Sequence, residues 1–502
     1  MKRLSYLLFL SLSVLVFSSC LKKAEKNSEI FQSQNHIEYG DQKTVDFIAT
    51  LESNVPVLLT KNKIRGAVIA VIHQGRPVWY GAFGYADAEN RNPMKLDNIC
   101  RVESISKSVT TWGVLKLVQD GMIDLDVPVI TYLKNWSFPP SKYHTEKITV
   151  RHLLTHSSGL KLGTIGMRYL PEGERPSLHS TLTKDAILFQ EPGKSFSYSN
   201  VGFNLLELLI EEVSGKDFGT YMREVFFDPL GMNDSEFGWS ARFESRVPNG
   251  YDLDNNSIPP YVYPDRAAGG MFATIGDLTT FAVAGMPDFS DSGREVLHKD
   301  MLLSMYQVQA SISGVYSIAF PSYGLGHFLE NLSNGKRAIS HGGQGSGWMT
   351  HFHSIPESGD AIIILTNSQR SWPFFADILS VWGDFLGVEK VGMSVISFGN
   401  SLVWVLLFLI GVGSILFLFL VFSQWKHGRR RLKLRGMGKR WPSIFKFSLG
   451  WLLIGGLIWA NSQPYLFIEA VFPGPSPWLG RSILLLAFAL ISVSIFPKNV
   501  IS

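Results

Sequence analysis

The chain of 502 residues is longer than one ordinary domain, and 46% of its residues are hydrophobic, so it has ample material for a large core. Its formal net charge is +4, but eight Lys and Arg residues lie between residues 426 and 440, and the rest of the chain is net acidic. Because the basic residues form one local cluster, the charge excludes a nucleic-acid-binding face spread over a domain.

The first 20 residues have the pattern of an export signal. Basic residues follow Met1, an apolar run covers residues 4–17, and two serines precede Cys20. A basic segment, an apolar segment and a small-residue end are typical of a signal peptide. The Ser-Ser-Cys ending is similar to a bacterial lipoprotein cleavage site, at which Cys20 would be lipidated. We expect residues 1–20 to direct export, cleaved or kept as an anchor, and the polar residues 21–44 to form a linker.

The first predicted elements of the folded part form a β-hairpin. Residues 64–72 are apolar and rich in β-branched side chains, Gln74 and Gly75 mark a turn, and residues 78–84 return as a second apolar run. Short apolar runs on either side of a glycine turn predict two paired strands. Their apolar character indicates a buried position in the sheet.

Within residues 101–121, a helix is predicted from Ser104 onward. Ile105, Val109 and Trp112 recur at helical spacing, which indicates an apolar stripe, and Gly121 stands where a helix would end. Cys100 lies just before this helix and is predicted to be a buried, unreactive thiol.

The predicted helix begins with a Ser-x-x-Lys tetrad, Ser104 to Lys107. Residues three apart share a helix face, so the Lys107 ammonium would reach the Ser104 hydroxyl. The first turn also favours developing negative charge. A serine hydroxyl needs a base, and lysine serves only if desolvation or cationic neighbours lower its pKa. The tetrad alone is also compatible with a capping serine beside a solvated lysine.

The remaining elements of the folded part predict an α+β fold. Helices are expected over residues 147–159, 200–214 and 218–227, and strands over 348–355 and 361–366. Strands at both ends with helices between them predict a mainly antiparallel sheet, built from N- and C-terminal strands and flanked by helices, with an inserted helical subdomain.

The C-terminal region, residues 391–502, is predicted to cross a membrane. Residues 402–422 carry no charge and are long enough to span a bilayer, and two shorter apolar runs follow. The expected spans cover residues 402–422, 447–467 and 480–496, and the alternative is a single span at 402–422. The basic loop 426–440 is expected to stay cytoplasmic, which places the domain at 45–390 on the extracytoplasmic, periplasmic side.

Two histidines offer an alternative chemistry. His152 and His156 are four residues apart, a spacing that can place two zinc ligands on one helix face. Because no glutamate stands beside them as in His-Glu-x-x-His, a structural role is favoured. The sequence also lacks a Gly-x-Ser-x-Gly elbow, which argues against an α/β-hydrolase. The two histidines therefore do not predict a metal site.

Further motifs accompany the tetrad along the chain. They are Leu-Leu-Thr-His at 153–156, Tyr-Ser-Asn at 198–200, Ala-Ala-Gly-Gly at 267–270 and His-Gly-Gly at 341–343. In this order the set resembles the serine β-lactamase and penicillin-binding-protein superfamily over residues 45–390. The similarity is to the class C-like branch, which includes β-lactamases, D-Ala carboxypeptidases, D-aminopeptidases and related esterases.

This resemblance implies an acyl-enzyme mechanism. Ser104 would attack a carbonyl, and Lys107 would take or relay its proton. Tyr198 would share the base role and protonate the leaving group. A phenol does this only if its pKa, normally about 10, is lowered by a nearby cation such as Lys107.

The resemblance also implies substrate-binding residues. Asn200 would bond the lysine or a substrate amide, and the N–H groups of Ser104 and Gln344 would form an oxyanion hole. Gly342 and Gly343 would let substrate approach the strand edge.

The sequence departs from the β-lactamase pattern in the His-Gly-Gly motif. His341 stands where β-lactamases usually carry lysine, and Gly342 replaces a threonine or serine. A histidine is mostly neutral near pH 7, so the grip on a β-lactam carboxylate is weakened.

The sequence thus predicts a membrane-anchored, exported serine hydrolase without cofactors. It would act through an acyl-serine on D-amino-acid peptides, small esters or β-lactam-like amides of the cell envelope. The alternative is a non-catalytic or weakly catalytic envelope binding or sensor protein with a penicillin-binding fold. The intact Ser104, Lys107, Tyr198 and Asn200 favour the enzyme.

Overall fold

The computed structural model describes residues 41–163, 167–432, 441–462 and 467–497. The expected signal, Cys20 and nearly all of the expected linker lie outside these residues. The chain divides into two compact units, Met1–Ser394 and Val395–Ser502. The first described helix starts at Gln42, within the last residues of the segment expected to be linker.

A nine-stranded sheet forms the centre of the first unit, in the order β3-β2-β1-β14-β13-β12-β11-β10-β9. Its strands are β1 Gly66–His73, β2 Arg76–Asp87, β3 Asn92–Pro93, β9 Ala310–Ser311, β10 Ser322–Tyr323, β11 Phe328–Asn331, β12 Arg337–Gln344, β13 Met349–Ile355 and β14 Asp360–Thr366. The short strands β4 Cys100–Arg101, β5 Glu236–Phe237, β6 Gly250–Tyr251, β7 Ser257–Ile258 and β8 Met271–Ala273 form two smaller sheets.

The two ends of the first unit meet in the middle of the large sheet. Strand β1 pairs antiparallel with β14, with Ala67 opposite Thr366 and Ile72 opposite Ala361. Both strands are almost wholly buried, because helices cover both faces of the sheet. This pairing confirms the predicted antiparallel sheet of N- and C-terminal strands and the α+β class.

Helices surround the sheet and fill the inserted part of the first unit. They are α1 Gln42–Asn62, α2 Ile105–Gln119, α3 Val150–Leu154, α4 Leu178–Asp185, α5 Asn200–Ser214, α6 Phe218–Met222, α7 Asp228–Leu230, α8 Ile275–Ala284, α9 Ser292–Val296, α10 Lys299–Met305 and α11 Trp372–Leu386. The helix predicted over 218–227 is α6 followed by a π-helical turn, Arg223–Phe227. The one predicted over 147–159 is the shorter α3, which ends before His156 adopts a positive φ of 54°.

Helix α2, which carries the Ser-x-x-Lys tetrad, is buried on nearly every side. Its residues from Ile105 to Leu115 all lie in the interior. The predicted apolar stripe was therefore too narrow. The reason is that α5, the π-helical turn and strands β12 and β13 pack around the same helix. Its polar side chains must therefore find partners inside the protein.

The second unit contains three long apolar helices among the described residues. They are α12 Val395–Lys426, α13 Trp441–Asn461 and, after the short α14 Phe467–Val471, α15 Ser476–Ile495. All three have the length and composition to cross a membrane. The second and third begin six and four residues earlier than the predicted spans at 447 and 480. Large apolar side chains such as Phe408 and Leu452 are exposed on them, as expected of lipid-facing helices.

Candidate active site

A turn with unusual backbone geometry presents the candidate nucleophile. Ser104 is the residue that precedes helix α2, and the residue before it, Glu103, has a positive φ of 51°. Residues other than glycine rarely adopt this backbone conformation, so contacts around Glu103 must stabilise it. The N–H of Ile105 donates to the carbonyl of Val102 at 3.2 Å, which closes the turn around Ser104.

A buried ion pair holds this turn. Arg101 has no exposed surface, and its Nε donates to Glu103 Oε1 at 2.9 Å. The Tyr263 hydroxyl donates to Glu103 Oε2 at 2.9 Å. The guanidinium lies 4.3 Å and 4.5 Å from the ring centroids of Tyr261 and Tyr263. A buried charge persists when paired and hydrogen-bonded, and these contacts fix the backbone of Glu103 next to Ser104.

Two glycines let strand β12 and the loop after it approach this turn. A Cβ at Gly343 would lie 2.4 Å from the Val102 carbonyl oxygen, and one at Gly345 would lie 2.1 Å from Glu103 Oε1. A Cβ at Gly342 would lie 2.8 Å from the Trp372 ring. The expectation that Gly342 and Gly343 also serve the approach of substrate stays a prediction. Close packing within the protein already requires glycine at both positions.

Lys107 is fully buried and contacts the candidate nucleophile. Its Nζ lies 3.0 Å from Ser104 Oγ and donates to the Ala268 carbonyl at 2.6 Å. Burial lowers the pKa of Lys107 to about 7, against the opposing effect of the negative charge on Glu103. A neutral lysine is thus available near pH 7, as is required if Lys107 is to act as a base for Ser104.

The turn that bonds Lys107 is fixed by a carboxylate on helix α5. Glu207 is 2% exposed and accepts from the N–H groups of Arg266 and Ala267 at 2.6 Å and 2.8 Å. It also accepts from Arg266 Nε at 2.8 Å. The sequence analysis overlooked Glu207, although a glutamate among the leucines of the amphipathic helix is a visible signal. Its role is to hold the carbonyl of Ala268 toward Lys107.

Tyr198 lies beside the pair of Ser104 and Lys107. Its hydroxyl shares a hydrogen bond with the Ser104 side chain, and Lys107 Nζ is 4.9 Å from its ring centroid. Burial raises the pKa of Tyr198 well above its usual value, and the bond with Ser104 offsets this only in part. The expected lowering of this pKa by Lys107 is wrong, because desolvation dominates. Tyr198 is therefore a proton donor at neutral pH.

The two histidines considered as zinc ligands have other partners. His152 Nδ1 accepts from the Thr149 N–H at 3.3 Å, and His156 Nδ1 accepts from the Ser199 N–H at 3.1 Å. The His156 ring also packs on Tyr198, with 4.2 Å between centroids. His156 thus positions the segment that carries Tyr198.

His341 is neutral, as expected, but it has no exposed surface. Its Nδ1 donates to the Gly342 carbonyl at 2.9 Å, and its Nε2 lies 3.3 Å from the Tyr323 hydroxyl. Burial, followed by the charge of Lys107, holds the pKa of His341 well below its usual value. Direct contact with substrate, expected from the sequence, is not supported by this burial.

An open cleft of about 920 Å³ leads to Ser104. Asn200 and Gln344 line it, whereas Lys107, Tyr198, His341 and the glycines of the His-Gly-Gly motif are not part of its lining. The Gln344 side chain accepts from Trp372 Nε1 at 2.7 Å. Cys100 is buried, and desolvation raises the pKa of its thiol to about 12, as expected of an unreactive cysteine.

Comparisons with known proteins identify a family model and relatives that match the first unit of the chain. A family model described as Beta-lactamase matches residues 51–382. Penicillin-binding protein 4* of Bacillus subtilis is 25% identical over 349 residues, 66% of this chain and 74% of its own length.

Solved structures share the fold of the first unit. The octameric penicillin-binding protein homologue from Pyrococcus abyssi is 27% identical, with a TM-score of 0.58 over 68% of this chain and 77% of its own. A D-amino acid amidase from Ochrobactrum anthropi is 24% identical, with a TM-score of 0.54 over 64% of this chain and 91% of its own. At that identity, the amidase is evidence for the fold alone.

Proposed function

Because the chain belongs to the beta-lactamase family, whose members are serine hydrolases or acyltransferases, we propose that it is a membrane-anchored, exported serine hydrolase. The substrates we propose are D-amino-acid peptides, small esters or β-lactam-like amides of the cell envelope. One observation carries the proposal: a buried Lys107, with a pKa lowered to about 7, lies 3.0 Å from the hydroxyl of Ser104. This pair supports a catalytic role over a binding role, since a receptor needs no base for turnover.

The acylation step follows from the geometry around Ser104. Neutral Lys107 accepts the proton of Ser104 as Oγ forms a bond to the substrate carbonyl carbon. The carbonyl electron pair moves to oxygen and returns as the leaving group departs. Tyr198 donates its proton to that leaving group and regains one from the Lys107 ammonium. The Ser104 acyl ester is then hydrolysed by water: Lys107, neutral again, accepts the proton of the water as it attacks the acyl carbon, and returns a proton to Ser104 Oγ as the ester bond breaks.

The oxyanion formed in both steps needs donors at the cleft. We assign this role to the backbone N–H groups of Ser104 and Gln344. Two observations support this assignment. Both residues line the same cleft, and Ser104 is at the N-terminus of helix α2, where the helix dipole places partial positive charge. Asn200 lines the same cleft and is proposed to bond a substrate amide.

The site favours esters and amides over β-lactams. A β-lactam carboxylate is usually held by a cation, whereas His341 is buried and its pKa is held well below the usual value. The described lining of the cleft includes Lys184, but this side chain is exposed on helix α4 and is not a fixed partner for a carboxylate. We therefore propose slow hydrolysis of β-lactams.

The test is covalent trapping combined with a substrate panel. The full chain, purified in detergent, is incubated with a fluorophosphonate, and its intact mass and peptide map are recorded. One adduct, on Ser104, is expected. The panel contains nitrocefin, a D-Ala-D-Ala peptide, D-amino-acid amides and p-nitrophenyl esters, of which nitrocefin is expected to be the slowest. An adduct on another residue, or none, contradicts the proposal, and labelling without turnover favours the binding-protein alternative.

We also propose that the second unit anchors the enzyme, with the hydrolase outside. The three apolar helices support membrane insertion, and the basic residues after α12 favour a cytoplasmic position for the 426–440 segment. Residues 433–440 of that segment lie outside the described residues. Cys20 remains a proposed lipidation site.

A reporter experiment tests this orientation. Alkaline phosphatase fused after residue 433 is expected to be inactive, because it needs an oxidising compartment, and a green fluorescent protein fused there is expected to fluoresce. The matched control is a fusion after residue 390, which should give the opposite result. Phosphatase activity at 433 would reverse the proposed topology.

A further inference from the structure

One acidic side chain in the cleft is not used by the proposed mechanism. Asp265 lines the same cleft as Ser104, although only 7% of its surface is exposed. The turn that carries it also carries Ala268, whose carbonyl accepts from Lys107. Since Asp265 and Ala268 are three residues apart, their Cα atoms are separated by at most about 11 Å. A buried carboxylate thus lies in the cleft that leads to Ser104, on the segment whose Ala268 carbonyl bonds the candidate base.

The hydrogen bonds of Asp265 come from neutral groups. Its Oδ1 accepts from the Thr181 hydroxyl at 2.7 Å, and its Oδ2 accepts from Asn204 Nδ2 at 2.6 Å. Buried carboxylates are normally paired with a cation, but within the described residues none forms an ion pair with Asp265. The neighbouring Arg266 guanidinium is instead paired with Glu207, Glu211 and Asp217.

A second acceptor beside Asp265 also lacks a partner. Asn204 Oδ1 is buried, and no described residue hydrogen-bonds to it. Asn204 lines the cleft one helical turn from Asn200, and residues four apart lie on the same helix face. A buried acceptor without a donor is costly, so it indicates a group that is absent from the protein chain. The group that would satisfy both acceptors carries several N–H donors and a positive charge, as an ammonium does.

The electrostatic environment of Asp265 favours binding of a cation in the cleft. Burial raises the pKa of Asp265 to about 7, and the negative charge of Glu207 adds to this effect. The charged groups that act on it or line the cleft with it are Glu207, Asp185, Arg266, Lys184 and Glu103. A bound ammonium would favour the ionised carboxylate and offset the cost of its burial.

We propose that Asp265, together with Asn204, forms a subsite for a protonated amino group of the substrate. This inference rests on the proposed hydrolase function and narrows its substrates to amides, peptides or esters that carry a primary ammonium group. The ammonium donates to the Asp265 carboxylate and to Asn204 Oδ1, while the acyl carbon lies at Ser104. The amino group is either the α-amine of the acyl residue or a side-chain amine, and both have the same chemistry.

The experiment compares matched p-nitroanilides on the full chain in detergent. D-Alanyl and N-acetyl-D-alanyl p-nitroanilide differ in the α-ammonium, and N-acetyl-D-lysyl and N-acetyl-D-norleucyl p-nitroanilide differ in a side-chain ammonium. The wild type is expected to prefer the ammonium-bearing member of one pair, which identifies the source of the amine. Asp265→Asn is expected to lower that preference by about 10- to 100-fold in kcat/KM, with neutral substrates unaffected. Asp300→Asn, on the exposed face of α10, is the control and should leave the preference unchanged.

The pH dependence separates Asp265 from Lys107. The ratio of the two kcat/KM values within a pair cancels the ionisation of Lys107. It should rise as pH increases through about 7, because Asp265 then becomes ionised in the free protein, and for the α-amine pair it should fall again above about 8, where the substrate ammonium loses its proton. In Asp265→Asn this rise should disappear.

The outcomes distinguish this inference from the proposed function. Nucleophile-dependent hydrolysis without any ammonium preference, or with a preference that Asp265→Asn retains, overturns the subsite and leaves the hydrolase intact. Absence of both fluorophosphonate labelling and turnover overturns both. If turnover is too slow to measure, the carboxamides of the same four acyl groups are tested as inhibitors of fluorophosphonate labelling. The ammonium-bearing member of one pair is expected to inhibit labelling more strongly than its neutral partner. If Asp265→Asn fails to fold, Asn204→Ala is expected to reduce the preference in its place.

Discussion

Replacing Ser104 with alanine is expected to abolish fluorophosphonate labelling and to lower kcat/KM for every hydrolysed substrate by about 10³- to 10⁶-fold. The acyl-enzyme cannot form without the Oγ atom, and only binding and the oxyanion donors would remain to stabilise the transition state. Because Ser104 precedes helix α2 without a side-chain capping bond, the substitution should leave the fold intact. The measurement is the steady-state rate on the preferred ester or amide, beside labelling followed by gel fluorescence.

Ser180 provides a matched control for this substitution. It also lines the cleft, but it is exposed and lies on α4. Ser180→Ala should therefore retain labelling and turnover. Equal labelling of Ser104→Ala and wild type would show that the nucleophile is another residue and would remove the basis of the proposed function.

Lys107→Met is expected to lower kcat/KM by about 10²- to 10⁴-fold, the usual contribution of a general base. Methionine has a similar length and no charge, so it fits the buried position while removing the proton acceptor. Lys107→Arg should be as inactive, since an arginine stays protonated at every accessible pH. Lys116→Met, on the same helix but paired at the surface with Asp120, is the control and should keep its activity.

The pH profile gives an independent test of Lys107. Its pKa is lowered to about 7 by desolvation, and the active form is the neutral one. The labelling rate and kcat/KM should therefore be low below pH 6 and should rise as the lysine loses its proton through about 7. Tyr198, with a pKa raised by burial, stays protonated over this range and adds no fall in activity near neutral pH. A rate that is flat between pH 5 and 9 would exclude Lys107 as the base.

The sequence was sufficient for the order of the main elements and for the contact between Ser104 and Lys107. The apolar runs that became β1 and β14 predicted the sheet, and the amphipathic pattern gave α5 with the bounds Asn200–Ser214. Spacing alone placed Lys107 one turn from Ser104, because residues three apart always meet on a helix. These features depend on local periodicity, which a single chain displays directly.

The environment of the site was not predictable in the same way. A lowered pKa at Tyr198 was expected from the proximity of a cation, but burial had the larger effect and raised it. The complete burial of His341 was not expected either, and its contact with substrate stays a prediction. Both features concern solvent exposure, which depends on elements far apart in the chain.

The sequence by itself determined that a serine and a lysine share the start of one helix, that apolar strands at both ends form one sheet, and that the C-terminal region has three helices apolar enough for a membrane. The tertiary structure alone decided that Arg101 and Glu103 hold the turn before Ser104, that Glu207 fixes the carbonyl bonded to Lys107, and that Asp265 lies in the cleft. The physical reason is that hydrogen-bond periodicity is local, whereas desolvation and charge pairing depend on which distant segments pack together.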